Sequence, residues 1–268
     1  MKKCLNKIEK KKKFEELIDQ LTSSGPGKIF SSKISSKANS INRNKKFSLV
    51  FDSAIEEIKK QGIKNNFISN CSLYEALIYK FGNSNKHQIF WKISLRIYRE
   101  LKRINYQDDI LGHFVKFSQG LKNSKFIYSP LRRSFCFFGA ILLKRILKLD
   151  RLRLICAQCV DYSLGFVELG HFLTFNLMLI AIASDIANES NKQILFFANI
   201  YKKLGTYFYK YSNRCLPPII NFNLLSSIKN NEKNLKKNHN KDLNLIIKEI
   251  EGELNRREIE KGKKYIIM

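Results

Sequence analysis

Two cysteines separated by two residues are the first feature of this sequence that could carry chemistry. Cys156 and Cys159 stand at i and i+3, where two thiolates on one helix face can bind a metal or exchange disulfides. A structural zinc site needs four ligands, and only His171 and Cys215 lie within easy reach along the chain. The surrounding residues are apolar, so we predict two core thiols and no metal or other cofactor.

No other group of side chains predicts catalysis. None of the histidines has the HExxH spacing of a metalloprotease: His87, His113, His171 and His239. Carboxylates in the most apolar region are isolated from one another, as expected for partners of nearby arginines: Asp150, Asp161, Glu168 and Asp185. The sequence also lacks a phosphate-binding loop, a dinucleotide-binding glycine motif and a nucleophile elbow. We therefore predict that the protein is not an enzyme.

Positive charge is the strongest compositional signal. The chain has 49 Lys and Arg against 23 Asp and Glu, which gives a net charge of +26. Such a balance favours a polyanionic partner, with nucleic acid first and an acidic membrane surface second. The longest uncharged run, residues 169–184, is shorter than the ~18 apolar residues that span a bilayer, so a membrane span is disfavoured.

Cations recur along one face of a predicted amphipathic helix over residues 86–104. Four of them are spaced by four, three and four residues: Lys92, Arg96, Arg99 and Arg103. No acidic residue occurs between Lys86 and Arg99. This pattern fits a row that follows phosphates, and it also fits an ordinary solvated helix surface.

We select two groups of cations as candidate RNA-binding residues, with phosphate neutralisation as their role. The first group lies in and around the amphipathic helix and consists of Lys86, Lys92, Arg96, Arg99, Lys102 and Arg103. The second group lies on the next long helical segment and consists of Arg132, Arg133, Lys144, Arg145, Lys148, Arg151 and Arg153.

The hydrophobic period predicts an all-α fold. We expect an irregular helical bundle around a long apolar antiparallel helical hairpin, whose most apolar stretch, residues 134–184, forms the buried centre. Within the hairpin and the helix after it, we expect helices to end near Asp150 and after Asn188. Ser72 and Glu75 form a capping-box pattern that predicts the start of another helix.

Composition divides the chain into three parts. Residues 1–46 form a basic, Ser/Lys/Asn-rich extension with a flexible linker over residues 22–46, and residues 47–222 form the helical domain. Residues 223–268 form a polar linker followed by an amphipathic C-terminal helix. The six cysteines are scattered through helical patterns and the basic N-terminus lacks an apolar run, so we expect a reducing compartment and no secretion.

Two segments resemble the N-terminal domain of the nucleolus and neural progenitor protein family. The first, LYEALIYKFGNSNKHQIFWKISLRIYRELKRIN, joins a short helix, an Asn/Lys/His-containing turn and a basic amphipathic helix. The second is LRRSFCFFGAILLKRILKLDRLRLICAQCVDYSLGFVELGHFLTFNLMLIAIASDIANESNKQILFFANIYKKL. It is similar to the family's Leu-rich helix, cysteine-containing helix, apolar helix and final helix, which is closed by a proline-containing strap. The resemblance covers about residues 47–222.

The resemblance implies a helical protein of the nucleus and nucleolus, connected with the RNase MRP ribonucleoprotein, pre-rRNA processing and ribosome biogenesis. It implies a non-catalytic subunit that binds structured RNA, either RNase MRP-type RNA or pre-rRNA, or other ribonucleoprotein subunits. Any cleavage would belong to the RNA component. Two alternatives stay open: a helical protein-interaction scaffold without direct RNA contact, and a small membrane-associated basic protein.

Overall fold

The computed structural model describes residues 2–23, 25, 38–62, 67–107, 110–122, 132–211, 216, 247–252 and 254–255. The helices are α1 (Lys2–Ser23), α2 (Ala38–Gly62), α3 (Phe67–Asn85), α4 (Ile89–Gln107), α5 (Ile110–Lys122), α6 (Arg132–Glu168) and α7 (Leu173–Tyr211). Residues 247–252 and 254–255 are also helical. These described residues include no strand, and the predicted all-α class is confirmed.

Helix α2 begins earlier than the sequence suggested. Residues 38–46 were expected to belong to a flexible linker, but they form the first turns of α2. This stretch has neither Gly nor Pro, so nothing in it interrupts the helix that the following apolar residues stabilise. The part of that linker over residues 26–37, the polar linker at 223–246 and the strap beyond Leu216 lie outside the described residues.

Three predicted helix boundaries are wrong. Helix α6 continues through Asp150, α7 continues past Asn188, and α3 begins before Ser72. The Asp150 carboxylate accepts a hydrogen bond from Arg153, one turn later, at 2.9 Å. The Ser72 hydroxyl donates to the carbonyl of Ile68 at 3.3 Å. Each polar side chain is therefore satisfied within its helix instead of capping a helix end.

The helices divide into two compact units, which we describe separately. The first unit comprises Met1–Ile55, Gly112–Lys144 and Ala198–Met268. Phe51 of α2 stacks on Phe114 of α5 with ring centroids 4.9 Å apart, and Phe138 of α6 meets both rings edge-on. Such pairs contribute about 0.5–1.5 kcal/mol each beyond the burial of their surface. The aromatic cluster thus joins three helices in this unit.

Both ends of the described chain pack in the first unit. Helix α1 buries one apolar stripe, which consists of Phe14, Leu17, Ile18 and Leu21. Near the other end, Ile247 and Ile250 are buried, and Glu251 lies 2.6 Å from the ammonium group of Lys13. The predicted N-terminal extension and C-terminal amphipathic helix therefore both contribute buried surface to a folded unit.

The second unit comprises Glu56–Leu111 and Arg145–Phe197. Its core contains Phe90 and Trp91 of α4, which lie 5.9 Å from the ring of Phe175 in α7. Phe166 of α6 meets Phe90 edge-on at 4.9 Å. These contacts hold α4 against the segments of α6 and α7 that belong to this unit.

Helices α6 and α7 contact each other in both units. In the first unit Phe135 meets Phe208. In the second unit Phe166 and Phe175, close to the turn between the two helices, both meet Phe90, whereas Arg145, further from the turn, meets Gln193 and Phe197. Within the second unit the two segments therefore run antiparallel. The expectation that all of residues 134–184 is buried is wrong at the turn, where the side chains of Leu169 and Phe172 are 71% and 58% exposed.

A close approach at Gly139 of α6 gives a testable prediction. A Cβ atom at this position would contact the Leu216 side chain and would lie 3.3 Å from the Phe208 ring. Relative to an unhindered Gly→Ala change in a helix, we expect Gly139→Ala to lower the free energy of unfolding by about 1–3 kcal/mol, because overpacking displaces side chains from their preferred rotamers. Urea denaturation followed by circular dichroism measures the change.

Gly165 supplies the matched control, since it lies in the same helix and a Cβ atom there would meet nothing within 4 Å. Gly165→Ala should raise the free energy of unfolding by about 0.5–1 kcal/mol, because alanine loses less backbone entropy on folding. Equal changes for both variants would contradict the close packing at Gly139.

Candidate nucleic-acid interface

Helix α4 is amphipathic, and its buried face determines which side chains reach solvent. Phe90, Trp91, Ile97, Leu101 and Ile104 are buried at spacings typical of a core-facing helical stripe. The opposite residues are then directed outward by the helical period. The rotation of α4 is therefore fixed by its packing, and its cations are presented on one side.

The basic row, defined as Lys92, Arg96, Arg99 and Arg103, lies on this outward side. All four residues are exposed. At 100° per residue, spacings of four, three and four keep them within about 60° of the helix circumference, and the row extends over about 16 Å. Lys86, in the turn before α4, and Lys102 are also exposed, so the first predicted group lies in one part of the second unit.

Two members of the first group have acidic partners. Arg103 lies 2.9 Å from the carboxylate of Glu100, and Lys102 lies 3.7 Å from that of Glu75 on α3. The Tyr98 hydroxyl donates to Glu75 at 2.7 Å and accepts from Lys102 at 3.2 Å. The bond from Lys102 to Tyr98 raises the pKa of Lys102. This end of the row is therefore partly neutralised.

The other end of the row keeps its charge. Within the described part of the chain, Lys92, Arg96 and Arg99 form no ion pair. Like charges at helical i, i+3 and i+4 positions repel one another, so this arrangement costs α4 a small amount of stability, roughly 0.2–0.5 kcal/mol per pair. A bound polyanion would relieve that repulsion.

The second predicted group divides between the two units. Arg133 is exposed in the first unit, where Lys144 lies 2.8 Å from Asp19 and 3.3 Å from the Thr22 hydroxyl. The side chain of Arg132 is outside the described part of the structure. Lys144 therefore joins α6 to α1, and a phosphate contact would have to compete with that role.

The remaining members of the second group belong to the second unit. Arg151 is exposed, Lys148 is half-buried, and Arg153 pairs with the buried carboxylate of Asp150 at 2.9 Å. A carboxylate buried to this degree needs a compensating cation, so Arg153 has a structural role whether or not RNA is bound. The second group does not form a continuous unpaired row like that of α4.

Arg145 differs from the other predicted residues whose side chains the structure describes, because it is buried. Its Nη1 atom donates to the carbonyl of Ile104, in the last turn of α4, at 2.7 Å. Its Nη2 atom lies 3.5 Å from the Gln193 side-chain oxygen, and its guanidinium group lies 5.8 Å from the centre of the Phe197 ring. The last carbonyls of a helix have no partner within that helix, so Arg145 supplies a cap for α4. We accordingly leave Arg145 out of the candidate RNA surface.

This assignment gives a stability prediction. Arg145→Leu should lower the free energy of unfolding by about 1.5–3 kcal/mol, because it removes charge-assisted hydrogen bonds and leaves the Ile104 carbonyl without its cap. Arg99→Leu, which removes an exposed guanidinium group, should change it by at most about 0.5 kcal/mol. Chemical denaturation of both variants tests the distinction, and a similar small change for both would contradict a structural role for Arg145.

The two thiols of the CxxC pair are buried among helices of the second unit. Burial raises the pKa of Cys159 to about 11, and the neighbouring Ser163 hydroxyl acts in the opposite direction. Burial raises the pKa of Cys156 still further above its usual range. The described residues contain no group of three or more metal-binding side chains, and Cys215 is not among them. Both thiols are protonated near neutral pH, so neither is activated as a nucleophile.

The raised pKa of Cys159 makes stability depend on pH. The thiol keeps its proton in the folded state up to about pH 11, whereas the unfolded chain releases it near pH 9. The free energy of unfolding should therefore decrease as the pH rises through this interval, by up to about 1.4 kcal/mol per pH unit for one thiol. Urea midpoints at about pH 8, 9 and 10 measure this loss.

Cys159→Ala should make that pH dependence less steep. Ile155→Val removes a methyl group from the same buried region without removing a titrating group, so it should leave the slope unchanged. The prediction fails if Cys159→Ala retains the full slope.

One surface was missed by the sequence interpretation. Large apolar side chains around the turn between α6 and α7 are exposed, among them Leu169, Phe172, Leu173 and Leu177. The absence of charge in this stretch was taken as a sign of burial, but a helical pair can bury only the sides that face other elements. No described helix is both long and apolar enough to span a membrane.

Comparison with known proteins gives one match. A family model for the N-terminal region of the nucleolus and neural progenitor protein matches residues 30–205, which is more than half of the chain. This range contains the whole of α4 and the turn between α6 and α7. No curated protein and no solved structure matches the chain.

Proposed function

Because the chain belongs to the nucleolus and neural progenitor protein family, we propose that it acts in the nucleolus as a non-catalytic, RNA-associated subunit. The proposed assembly is an RNase MRP-type ribonucleoprotein that acts in pre-rRNA processing and ribosome biogenesis. Its RNA partner is RNase MRP-type RNA or pre-rRNA. The protein contributes binding and positioning, and any cleavage belongs to the RNA.

The observation that carries this proposal is the set of unpaired cations on α4. Lys92, Arg96 and Arg99 lie on one exposed helix face, within the range that the family model matches. Their charges add to one another and meet no acidic side chain on the same face until Glu100, which is buried and already paired with Arg103. A polyanion that places several phosphates along this face would neutralise three cations without breaking an ion pair of the protein.

The mode of binding follows from the chemistry of these cations. They are long, solvated side chains on a convex helix, so they suit phosphates better than base edges. Affinity should therefore depend steeply on salt concentration, because each phosphate contact releases condensed counterions. Each contact contributes about −0.9 for a duplex, or about −0.7 for a single strand, to the slope of log affinity against log salt concentration. Sequence preference would have to come from RNA shape or from other subunits.

Charge reversal of the row tests the proposal. The full chain carrying Lys92→Glu, Arg96→Glu and Arg99→Glu should bind a structured RNA roughly tenfold to a hundredfold more weakly at about 0.1 M salt, and the salt slope should be shallower by about 2–3 units. Fluorescence anisotropy with a labelled RNA hairpin across a salt series measures both quantities. Circular dichroism checks that the variant is folded.

A matched control distinguishes the effect of the basic row from the effect of net charge. Lys60, Lys116 and Lys202 are exposed on α2, α5 and α7, so their joint replacement by Glu changes the net charge equally. This control should retain most of the affinity. Unchanged binding by the α4 variant would remove the row from the interface, and equal losses in both variants would show that net charge alone is responsible.

A second candidate function is a protein-interaction scaffold without direct RNA contact. The exposed apolar side chains at the turn between α6 and α7 favour it, because exposed groups of this kind commonly mark protein interfaces. Purification of the tagged protein with and without ribonuclease separates the two functions. A scaffold keeps its partners after the RNA is destroyed, whereas an RNA-associated subunit loses partners that are held through the RNA.

A further inference from the structure

The turn between α6 and α7 presents an apolar surface at one end of the second unit. This surface, the apolar tip, is defined by five side chains with exposed fractions of 71%, 58%, 47%, 53% and 36%, in the order Leu169, Phe172, Leu173, Leu177 and Met178. Leu173 and Leu177 are one helical turn apart, so they form an outward stripe on α7. Phe175 and Leu179 of the same turns are buried. The first turns of α7 are therefore apolar on the side that packs in the core and also on the side that faces solvent.

The backbone of the turn is ordered by a specific set of hydrogen bonds. The amide of His171 donates to the carbonyl of Phe166 at 2.9 Å, and the amide of Gly170 donates to that of Val167 at 3.0 Å. With Gly170 at a φ of 71°, this is a Schellman ending of α6. The Asn176 side-chain amide donates to the carbonyl of His171 at 3.1 Å. The tip is thus a built structure rather than a loose connection.

Phe172 occupies an unfavourable position in this turn. Its φ of 48° is in the left-handed region, which a residue with a bulky side chain rarely adopts. Its carbonyl accepts the amide of Asn176 at 2.9 Å, so it stands at the N-cap of α7, where Ser, Thr, Asp or Asn is preferred. The ring also remains exposed, so its apolar surface is not buried in return. Strain of this kind is commonly held at functional sites.

The segment of α6 and α7 that forms the tip differs in charge from the rest of the chain. Residues 154–191 contain no Lys or Arg and four acidic residues, although the chain has a net charge of +26. Asp161, Glu168 and Asp185 are exposed on the helices that lead into and out of the turn. On α3, the ammonium group of Lys80 lies 5.3 Å from the Phe81 ring, which meets Phe175 at 4.7 Å, so acidic side chains flank the tip on α6 and α7 and a cation flanks it on α3. A second copy using the same tip would bring like charges together, because a twofold interface pairs a surface with itself.

We propose that the apolar tip is a docking site for an amphipathic helix of another protein, with Lys or Arg residues beside its apolar face. The partner's apolar residues would cover Phe172, Leu173 and Leu177, and its cations would lie near Asp161 and Glu168. Such a contact combines helix recognition by apolar anchors with charge complementarity. The proposed contact uses none of the cations of the basic row, so this proposal does not rest on RNA binding.

Two labelled peptides of about five helical turns, roughly 18 residues, test the charge argument. Both carry the same leucine face, and one has lysines beside it whereas the other has glutamates. The full chain should bind the lysine peptide at least tenfold more tightly in fluorescence anisotropy. A chain of charge +26 would by bulk attraction prefer the glutamate peptide, so the reverse preference would overturn the proposal.

Substitutions at Phe172 separate binding from folding. Phe172→Gly should weaken binding of the lysine peptide at least tenfold while the thermal midpoint stays equal or rises, because glycine adopts the left-handed conformation without strain. Leu177→Glu should weaken binding to a similar degree. Leu195→Glu, at a position 64% exposed on the same helix and outside the tip, should leave binding unchanged. A lower midpoint for Phe172→Gly with unchanged binding would show that the ring serves folding, and would overturn the proposal.

Two further measurements exclude the other occupants. Dimerisation of the full chain that Leu177→Glu abolishes, in analytical ultracentrifugation, would assign the tip to a second copy and overturn the proposal. Binding to phosphatidylserine vesicles that Phe172→Gly abolishes would assign it to a membrane and overturn it equally. The tip variants should retain the RNA affinity of the unmodified chain. The α4 charge-reversal variant should retain binding of the lysine peptide. A failure of the RNA-binding proposal can therefore be distinguished from a failure of the docking proposal.

Discussion

A buried guanidinium group fixes the arrangement of the second unit. Two guanidinium nitrogens of the buried Arg145 reach acceptors inside the protein, Nη1 in the last turn of α4 and Nη2 on a side chain of α7. An unpaired buried charge would cost more than an ordinary core defect, so these elements cannot move independently of the residue that joins them. The Phe90 and Trp91 contacts then set the rotation of α4 about its axis. The outward orientation of the basic row depends on both.

Charge is segregated within the second unit. The cations of α4 lie on a helix whose exposed face has no acidic residue over its first two turns, whereas the segment around the α6–α7 turn has no cation at all. The sign of a partner's charge therefore determines which of these two places it would favour. The apolar tip adds a second distinction, because its side chains lose water only against another apolar surface. The two partners that we propose, a polyanion and a protein helix, are thus assigned to different side chains of one unit.

The sequence allowed the helical class, the α4 stripe and the spacing of its cations to be predicted, because these depend on local periodicity. The burial of Arg145 could not be predicted from the sequence. The residues around an arginine are the same whether its side chain lies in solvent or donates to a carbonyl group 41 residues away. Asp150 and Ser72 were taken for helix boundaries because the same side chains can cap a helix or bond within one. The exposure at Phe172 was missed because apolar content indicates a preference for burial, while tertiary structure decides which side chains obtain it.

The apolar tip also has a consequence for the colloidal behaviour of the free protein. Mutual repulsion at a charge of +26 keeps copies of the chain apart in dilute buffer, in spite of exposed leucine and phenylalanine side chains. A polyanion or concentrated salt removes that repulsion without covering the apolar side chains. We therefore expect solubility to be lowest when the charge is neutralised and the tip is uncovered.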